Sequence, residues 1–207
     1  GSTQHRDWLA EQVERGGTVA VDGQVLSLAA AQALRQRLND AGITLHTADD
    51  VLDAVWPDRP GLPAEPVYEH QPPFATRSRA DKLAAVRADM QRAGASHHLV
   101  STVDDIAWIG NLRGSDVSYN PVFLAHLLVA RDGATLFVGA GKVDGDLASK
   151  LSADGVAVAA YERAGPALAA LKAGDVLLVD PKRITLGLRE QVGADVRVLE
   201  AINPSTL

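Results

Sequence analysis

Apolar and polar positions follow two rhythms along this chain, a helical spacing near 3.6 and a strand alternation of two, and the switches between them mark its elements. Trp8, Leu9 and Val13 recur at helical spacing, and Gly16-Gly17 end that pattern before Thr18-Val19-Ala20-Val21-Asp22, which reads as a short strand. Ser27 stands in N-cap position before an Ala-rich helix over residues 28–38, and Gly42 closes it. Residues 43–46 read as the next strand, and residues 49–56 are expected to form one more short helix. Six of the ten prolines then fall between Pro57 and Pro73. Each fixes φ and lacks an N–H donor, so this segment is expected to be a stiff extended connector with little regular structure, and the domain boundary is placed near Phe74.

Beyond the connector, Ser78 is expected to cap a helix whose apolar side includes Leu83, Val86 and Met90, with Gly94 as its stop before a strand over residues 98–101. Arg77, Arg79, Lys82, Arg87 and Arg92 are interrupted by Asp81 and Asp89, the pattern expected of a solvated helix face. Residues 127–130 and 135–138 flank Arg131-Asp132-Gly133-Ala134, where Asp-Gly tolerates positive φ, so an antiparallel hairpin is predicted. Helical patterns over 146–151, 166–171 and 186–192 precede strand patterns over 156–158, 175–179 and 196–198. The alternation and the hairpin together predict an α/β fold, a mixed sheet covered by helices on both faces. The part before the connector supplies about two strands, fewer than an independent domain commonly holds, so it is expected to be a truncated unit.

Composition narrows this picture. Of 207 residues, 46% are hydrophobic but only 4% aromatic, so the core must be built mainly from Ala, Val and Leu. A formal charge of -6 argues against a broad nucleic-acid footprint, which needs clustered cations to displace counterions. With no cysteine there is no disulfide framework or thiolate metal site, and cytoplasm is the default expectation. No apolar run approaches the roughly 20 residues that span a bilayer, so no membrane partner is expected.

Candidate chemistry concentrates in residues 104–123. Asp104-Asp105 before Ile106-Ala107-Trp108-Ile109 read as an N-cap with a negative first turn. Asn111-Leu112-Arg113-Gly114-Ser115-Asp116 combine a guanidinium fork with several acceptors in an irregular loop. Arg113 has two open assignments there: pairing with Asp116 or backbone carbonyls to lock the loop, or meeting a substrate carboxylate or a neighbouring domain. Ser118-Tyr119-Asn120-Pro121 read as a turn, because proline biases Asn120 away from helix. His97-His98 would point to opposite faces of a strand and lack a third ligand at useful spacing, so neither is expected to hold metal. Gly139-Ala140-Gly141-Lys142 lack the frame of a phosphate-binding loop and read as a strand exit. No nucleophile elbow and no His-Glu-x-x-His element occur, so no catalytic residue is assigned.

The run Asn111-Leu112-Arg113-Gly114-Ser115-Asp116-Val117 followed by Asn120-Pro121-Val122-Phe123 closely resembles the middle domain of three-domain Xaa-Pro aminopeptidases. Asp7-Trp8-Leu9, Thr18–Asp22 and Val55-Trp56-Pro57-Asp58-Arg59-Pro60 resemble the later half and exit of that family's first domain, with Pro57 departing from the usual threonine. The resemblance implies creatinase-like, ribonuclease-H-like domains in α/β/α layers: a partial first domain over 1–74 and a middle domain over 75–207. It further implies that a metallopeptidase domain lies beyond Leu207 with two divalent ions, commonly manganese, so that no cofactor is carried by these residues. The implied partners are that catalytic domain, a second copy in a homodimer and a proline-containing peptide. Arg113, Asp116, Tyr119 and Asn120 become candidates for facing substrate or interface. The alternative parent is a creatinase-like module that binds protein or peptide without catalysis; prolidase- or creatinase-type enzymes fit the three-domain signatures less well.

Overall fold

The computed structural model of the protein describes residues 3–50, 52 and 54–204. Two compact units emerge from its contacts: Gly1–Pro60 with Ile184–Glu190, and Gly61–Arg183 with Gln191–Leu207.

In the first unit, helix α1 spans Gln4–Gln12 and helix α2 spans Leu28–Asp40, with strands β1 (Thr18–Ala20) and β2 (Thr44–His46) paired in parallel. Ser27 caps α2 as its sequence position predicts, its hydroxyl accepting from Ala30 N at 3.3 Å. Leu34, Leu38 and Ile43 form the buried centre, with Leu9, Val13, Val19 and Leu45 packed around them. The segment Ile184–Glu190 joins this unit through Leu28 N–Ile184 O at 3.0 Å and Leu186 N–Leu26 O at 2.8 Å. The expected helix over 49–56 is absent among its described residues, which form turns instead; Val51 and Asp53 lie outside them. An Asp50 side-chain oxygen accepts from Leu52 N at 3.0 Å, so a local aspartate turn competes with the helix start.

The second unit is built on a six-stranded mixed sheet flanked by helices. Its strands are β4 (His97–Val100), β6 (Ala125–Ala130), β7 (Ala134–Val138), β8 (Val156–Ala160), β9 (Val176–Val179) and β10 (Arg197–Glu200), and their spatial order is β10-β9-β4-β6-β7-β8. β6 and β7 form the antiparallel hairpin that Asp132-Gly133 predicts, with Leu127 opposite Leu136. β4 is antiparallel to β6 and parallel to β9, which makes the sheet mixed. Helices α3 (Arg79–Arg92), α4 (Val103–Gly110), α5 (Gly145–Ala153), α6 (Ala164–Ala169) and α7 (Leu186–Glu190) alternate with the strands, α7 belonging by its contacts to the first unit. Leu83, Val86 and Met90 of α3, Ile106 and Ile109 of α4, and Leu127, Val129 and Leu136 of the sheet share one apolar core. Aliphatic side chains fill it as the aromatic shortage requires, with Phe123 the one fully buried phenylalanine among its largest members.

The proline-rich connector is not wholly irregular. Strand β3 (Tyr68–Glu69) lies within it and pairs antiparallel with β5 (Leu112–Arg113). A partner strand supplied from far along the chain overrides the local bias against regular structure.

Candidate functional site

The run 104–123 begins as α4 and ends at the sheet, and each of its charged and amide side chains has a traceable partner. The helix starts earlier than expected. Thr102 occupies the N-cap position without a side-chain capping bond, so Asp104 is not the cap; Asp104 and Asp105 instead sit in the first turn, where negative charge suits the helix dipole. Asp105 accepts from Asn203 Nδ2 at 2.9 Å, and Asp104 accepts from Asn120 Nδ2 at 3.3 Å.

At the other end of α4, Asn111 adopts a left-handed conformation (φ 50°, ψ 40°), which stops the helix; its N–H still closes onto Ala107 O and Trp108 O, and the last carbonyls keep lone pairs to spare. Three cations take them up. Arg113 Nη1 donates to Ala107 O at 2.9 Å, Lys82 Nζ to Trp108 O at 2.7 Å, and Arg79 Nε to Gly110 O at 2.7 Å. Positive charge is favoured there because the helix dipole is negative at that terminus. Lys82 also donates to Asn111 Oδ1 and lies 4.4 Å from the Trp108 ring centroid, a cation–π distance. Burial lowers the Lys82 ammonium below its ordinary pKa, with Arg113 and Arg77 pushing the same way.

Arg79 and Lys82 therefore correct the expectation of a solvated basic face, since both are buried. They lie at the same helical spacing as Leu83, Val86 and Met90, so α3 carries them inward beside the core. That spacing is the sequence signal for their burial, although charged side chains usually face solvent. Arg79 also bonds Glu69 Oε1 at 2.8 Å and pairs with Asp154. Arg79→Leu is expected to lower unfolding free energy by about 2 kcal/mol, because charged hydrogen bonds are lost while Glu69 and Asp154 stay partly solvated. Urea denaturation of the variant measures it.

Past β5 the chain makes a compact excursion. Gly114 N donates to Pro121 O at 3.3 Å and Asp116 N to Val122 O at 3.1 Å, so the outgoing and returning strands brace each other. Gly114 is required by close approach: a Cβ there would meet Phe123 Cβ at 2.7 Å and Val122 O at 3.3 Å. Gly114→Ala is expected to cost about 1–3 kcal/mol through overpacking against the buried Phe123, read as a lowered midpoint in thermal unfolding.

Asp116 is the anchor of this excursion. One carboxylate oxygen pairs with Lys142 Nζ, the other accepts from Leu124 N at 2.8 Å, and the ion pair is sealed, with side-chain exposures of 0% for Asp116 and 1% for Lys142. Lys142 also donates to Pro63 O at 3.2 Å, while its carbonyl accepts from Val67 N at 2.8 Å, so the same residue ties the connector to the loop. Gly139 leaves room for the lysine stem, because a Cβ there would stand 3.0 Å from Lys142 Cδ. Lys142 is thus more than the strand exit that its sequence context predicts. An isolated lysine after Gly-Ala-Gly carries little long-range signal.

Arg113 is half-buried and bonded to the carbonyls of Ala107 and Leu112, so it takes the backbone alternative and does not pair with Asp116. Asn120 N donates to Val117 O at 3.3 Å, closing the predicted turn. At its apex Tyr119 adopts φ 63° and is fully exposed at 108% of the reference area. A non-glycine residue in that conformation is uncommon and holds the ring outward. Trp108 adds a second exposed ring at 40%. The structure thus brings Arg113, Asp116 and Asn120 into the framework of one loop and leaves Tyr119 on its surface. His97 and His98 point apart as expected: His97 meets Ser96 Oγ at 2.9 Å, and the buried His98 bonds Leu178 O.

Residues 58–207 match the creatinase/prolidase N-terminal domain. The chain belongs to that family. Two relatives of this creatinase/prolidase domain are named probable Xaa-Pro aminopeptidase P: one from Botryotinia fuckeliana is 32% identical over 96% of this chain and 32% of its own length, and one from Leptosphaeria maculans is 36% identical over 75% of this chain and 26% of its own. The chain therefore spans about a third of the length of the curated relatives it matches. Among solved structures, an X-prolyl aminopeptidase from Caenorhabditis elegans, described as a cytosolic enzyme with a di-nuclear active site, covers 98% of this chain with TM-score 0.87 and 23% identity, this chain covering 35% of it. That likeness shows the fold. No group of three or more His, Asp or Glu residues suited to hold a metal ion occurs among the described residues, and no described helix is long and apolar enough to cross a membrane.

Proposed function

We propose that this creatinase/prolidase-type chain is the non-catalytic N-terminal and middle region of an Xaa-Pro aminopeptidase. In this reading residues 1–74 are a partial first creatinase-like domain with its connector, and residues 75–207 are the middle domain. The region serves as scaffold, supports a homodimer and shapes the approach of a proline-containing peptide to a metal-bearing domain beyond Leu207. Relatives named Xaa-Pro aminopeptidase P along most of the chain support the assignment. A dinuclear centre, with manganese as the expected pair of ions, would activate the hydrolytic water in that further domain. The described residues do not fit such a centre, so no step of the hydrolysis is assigned to them. A cytoplasmic setting belongs to the same reading, supported by the description of the nematode enzyme.

The observation that carries the local part of the proposal is Tyr119, an aromatic ring held wholly outside on a turn braced by the buried Asp116–Lys142 pair. Exposed, preorganised aromatics are favoured contact groups because they bury much area at small entropic cost. Tyr119 is the contacting group; Arg113, Asp116 and Asn120 hold it in place. In the full-length protein, Tyr119→Ala is expected to raise KM for an Xaa-Pro peptide about tenfold, equivalent to about 1.4 kcal/mol, with kcat nearly unchanged. An unchanged KM in a folded variant would remove Tyr119 from substrate access. The same exposed ring also suits a creatinase-like module that binds protein or peptide without catalysis. Failure of the full-length protein, loaded with manganese, to hydrolyse any Xaa-Pro peptide would favour that second reading.

A further inference from the structure

A groove in the second unit, separate from the Tyr119 loop, lies between α3 and the turn joining β6 to β7. It has an open volume of about 740 Å³ and is lined by Ala84, Arg87, Ala88, Met90, Gln91 and Arg131, among others. Arg87 is pinned from one side: its Nε donates to Ala130 O at 3.0 Å, the carbonyl immediately before Arg131. This bond hooks the α3 guanidinium onto the turn that carries the second arginine, so both line the same groove. Arg131 is exposed, whereas Arg87 Nη2 is buried and finds no acceptor in the protein. A guanidinium stays charged at any physiological pH, and a buried N–H without an acceptor carries a desolvation cost. Asp89, the acidic residue that follows Arg87 on α3, is already engaged by Arg92. The chain as a whole is acidic, which makes two arginines in one groove the more distinctive.

From this we infer that the Arg87–Arg131 groove is a binding site for a carboxylate carried on an apolar body. Arg87 has its Nε spent on Ala130 O, and a carboxylate seated in the groove supplies the acceptor that its guanidinium lacks. Arg131 closes over the anion from the turn. Ala84 and Ala88 leave the helix surface low and apolar, and the groove is larger than a bare carboxylate needs, so the ligand's uncharged portion lies along them. An acidic side chain or the free carboxyl end of a peptide has this chemistry. The site does not depend on the proposed peptidase function.

The test follows the arginine Nε–Hε signals of the ¹⁵N-labelled chain by NMR during titration with hexanoate, acetate and inorganic phosphate at constant ionic strength. Hexanoate is expected to shift the Arg87 and Arg131 signals saturably, with a Kd on the order of millimolar, and acetate to act more weakly. Arg131→Gln lies on the exposed turn and should fold normally; it should weaken hexanoate binding about tenfold, as should Arg87→Gln. Absence of saturable shifts at these two residues, or equal shifts at the exposed Arg197, would overturn the site. Saturation by phosphate but not hexanoate would overturn its assignment to a carboxylate.

Discussion

Replacing Lys142 by methionine is expected to lower the unfolding free energy by about 3–5 kcal/mol, because it leaves the Asp116 carboxylate buried and unpaired. Methionine keeps most of the apolar stem, so the loss reports the charge more than the volume. Asp116 has no route to water in the folded protein, its side chain being fully enclosed, and Leu124 N alone offsets little of the cost of burying a carboxylate. Removing both charges should do less harm than removing one. The double variant Lys142→Met with Asp116→Leu is expected to recover most of the lost stability, since a buried pair and its apolar replacement often differ little. Urea denaturation of the two single variants and the double variant, combined as a cycle, measures the coupling. A loss below about 1 kcal/mol in Lys142→Met would mean that the pair is solvated and does not brace the loop.

Acidification should destabilise the fold before most carboxylates titrate. His126 lies in β6 with its Nδ1 2.9 Å from Ser101 Oγ and its ring 4.8 Å from that of Tyr161, and burial lowers its pKa from 6.5 to about 4. Below pH 6.5 the unfolded chain therefore binds a proton that the folded chain refuses. Stability from this group is complete above about pH 6.5 and is lost as pH falls towards 4, reaching about 3 kcal/mol at 1.36 kcal/mol per unit. Burial lowers His98 as well, outweighing the opposing pull of Leu178 O, Asp105 and Asp180, so its contribution has the same sign. Glu69 is lowered mainly by its hydrogen bond from Gln71, and Asp175 by its bond from Lys172 N; both lose stability on acidification at lower pH, below the ordinary carboxylate values. Urea unfolding between pH 7.5 and 4.5 should thus show a fall that begins near 6.5. His126→Gln should flatten part of it.

Regular elements were legible because their signals are local. Ser27 and Ser78 cap the helices they precede, and Asp132-Gly133 turns the β6–β7 hairpin. Elements set by distant partners were not legible in this way. Whether residues 68–69 form a strand depends on Leu112–Arg113, and the local aspartate turn at Asp50 defeated a helix that spacing alone favoured. The polar framework of the loop divides along the same line. Its turn at Asn120 is written in neighbouring residues, whereas Asp116 meets Lys142 across 26 positions and Lys82 reaches Asn111 across 29. A sequence shows that such groups are charged; the fold decides which are enclosed together.

The residues that look most like an active site, an arginine, an aspartate, a tyrosine and an asparagine gathered in one loop, are mainly devices that hold the loop's shape. In the proposed reading, catalysis belongs to a further domain. The most direct measurement is hydrolysis of an Xaa-Pro peptide by the purified 207-residue chain in manganese, beside the full-length protein at equal concentration. The expected result is cleavage by the proposed full-length protein and none by the chain. Turnover by the chain that persists after contaminating peptidases are removed would contradict it.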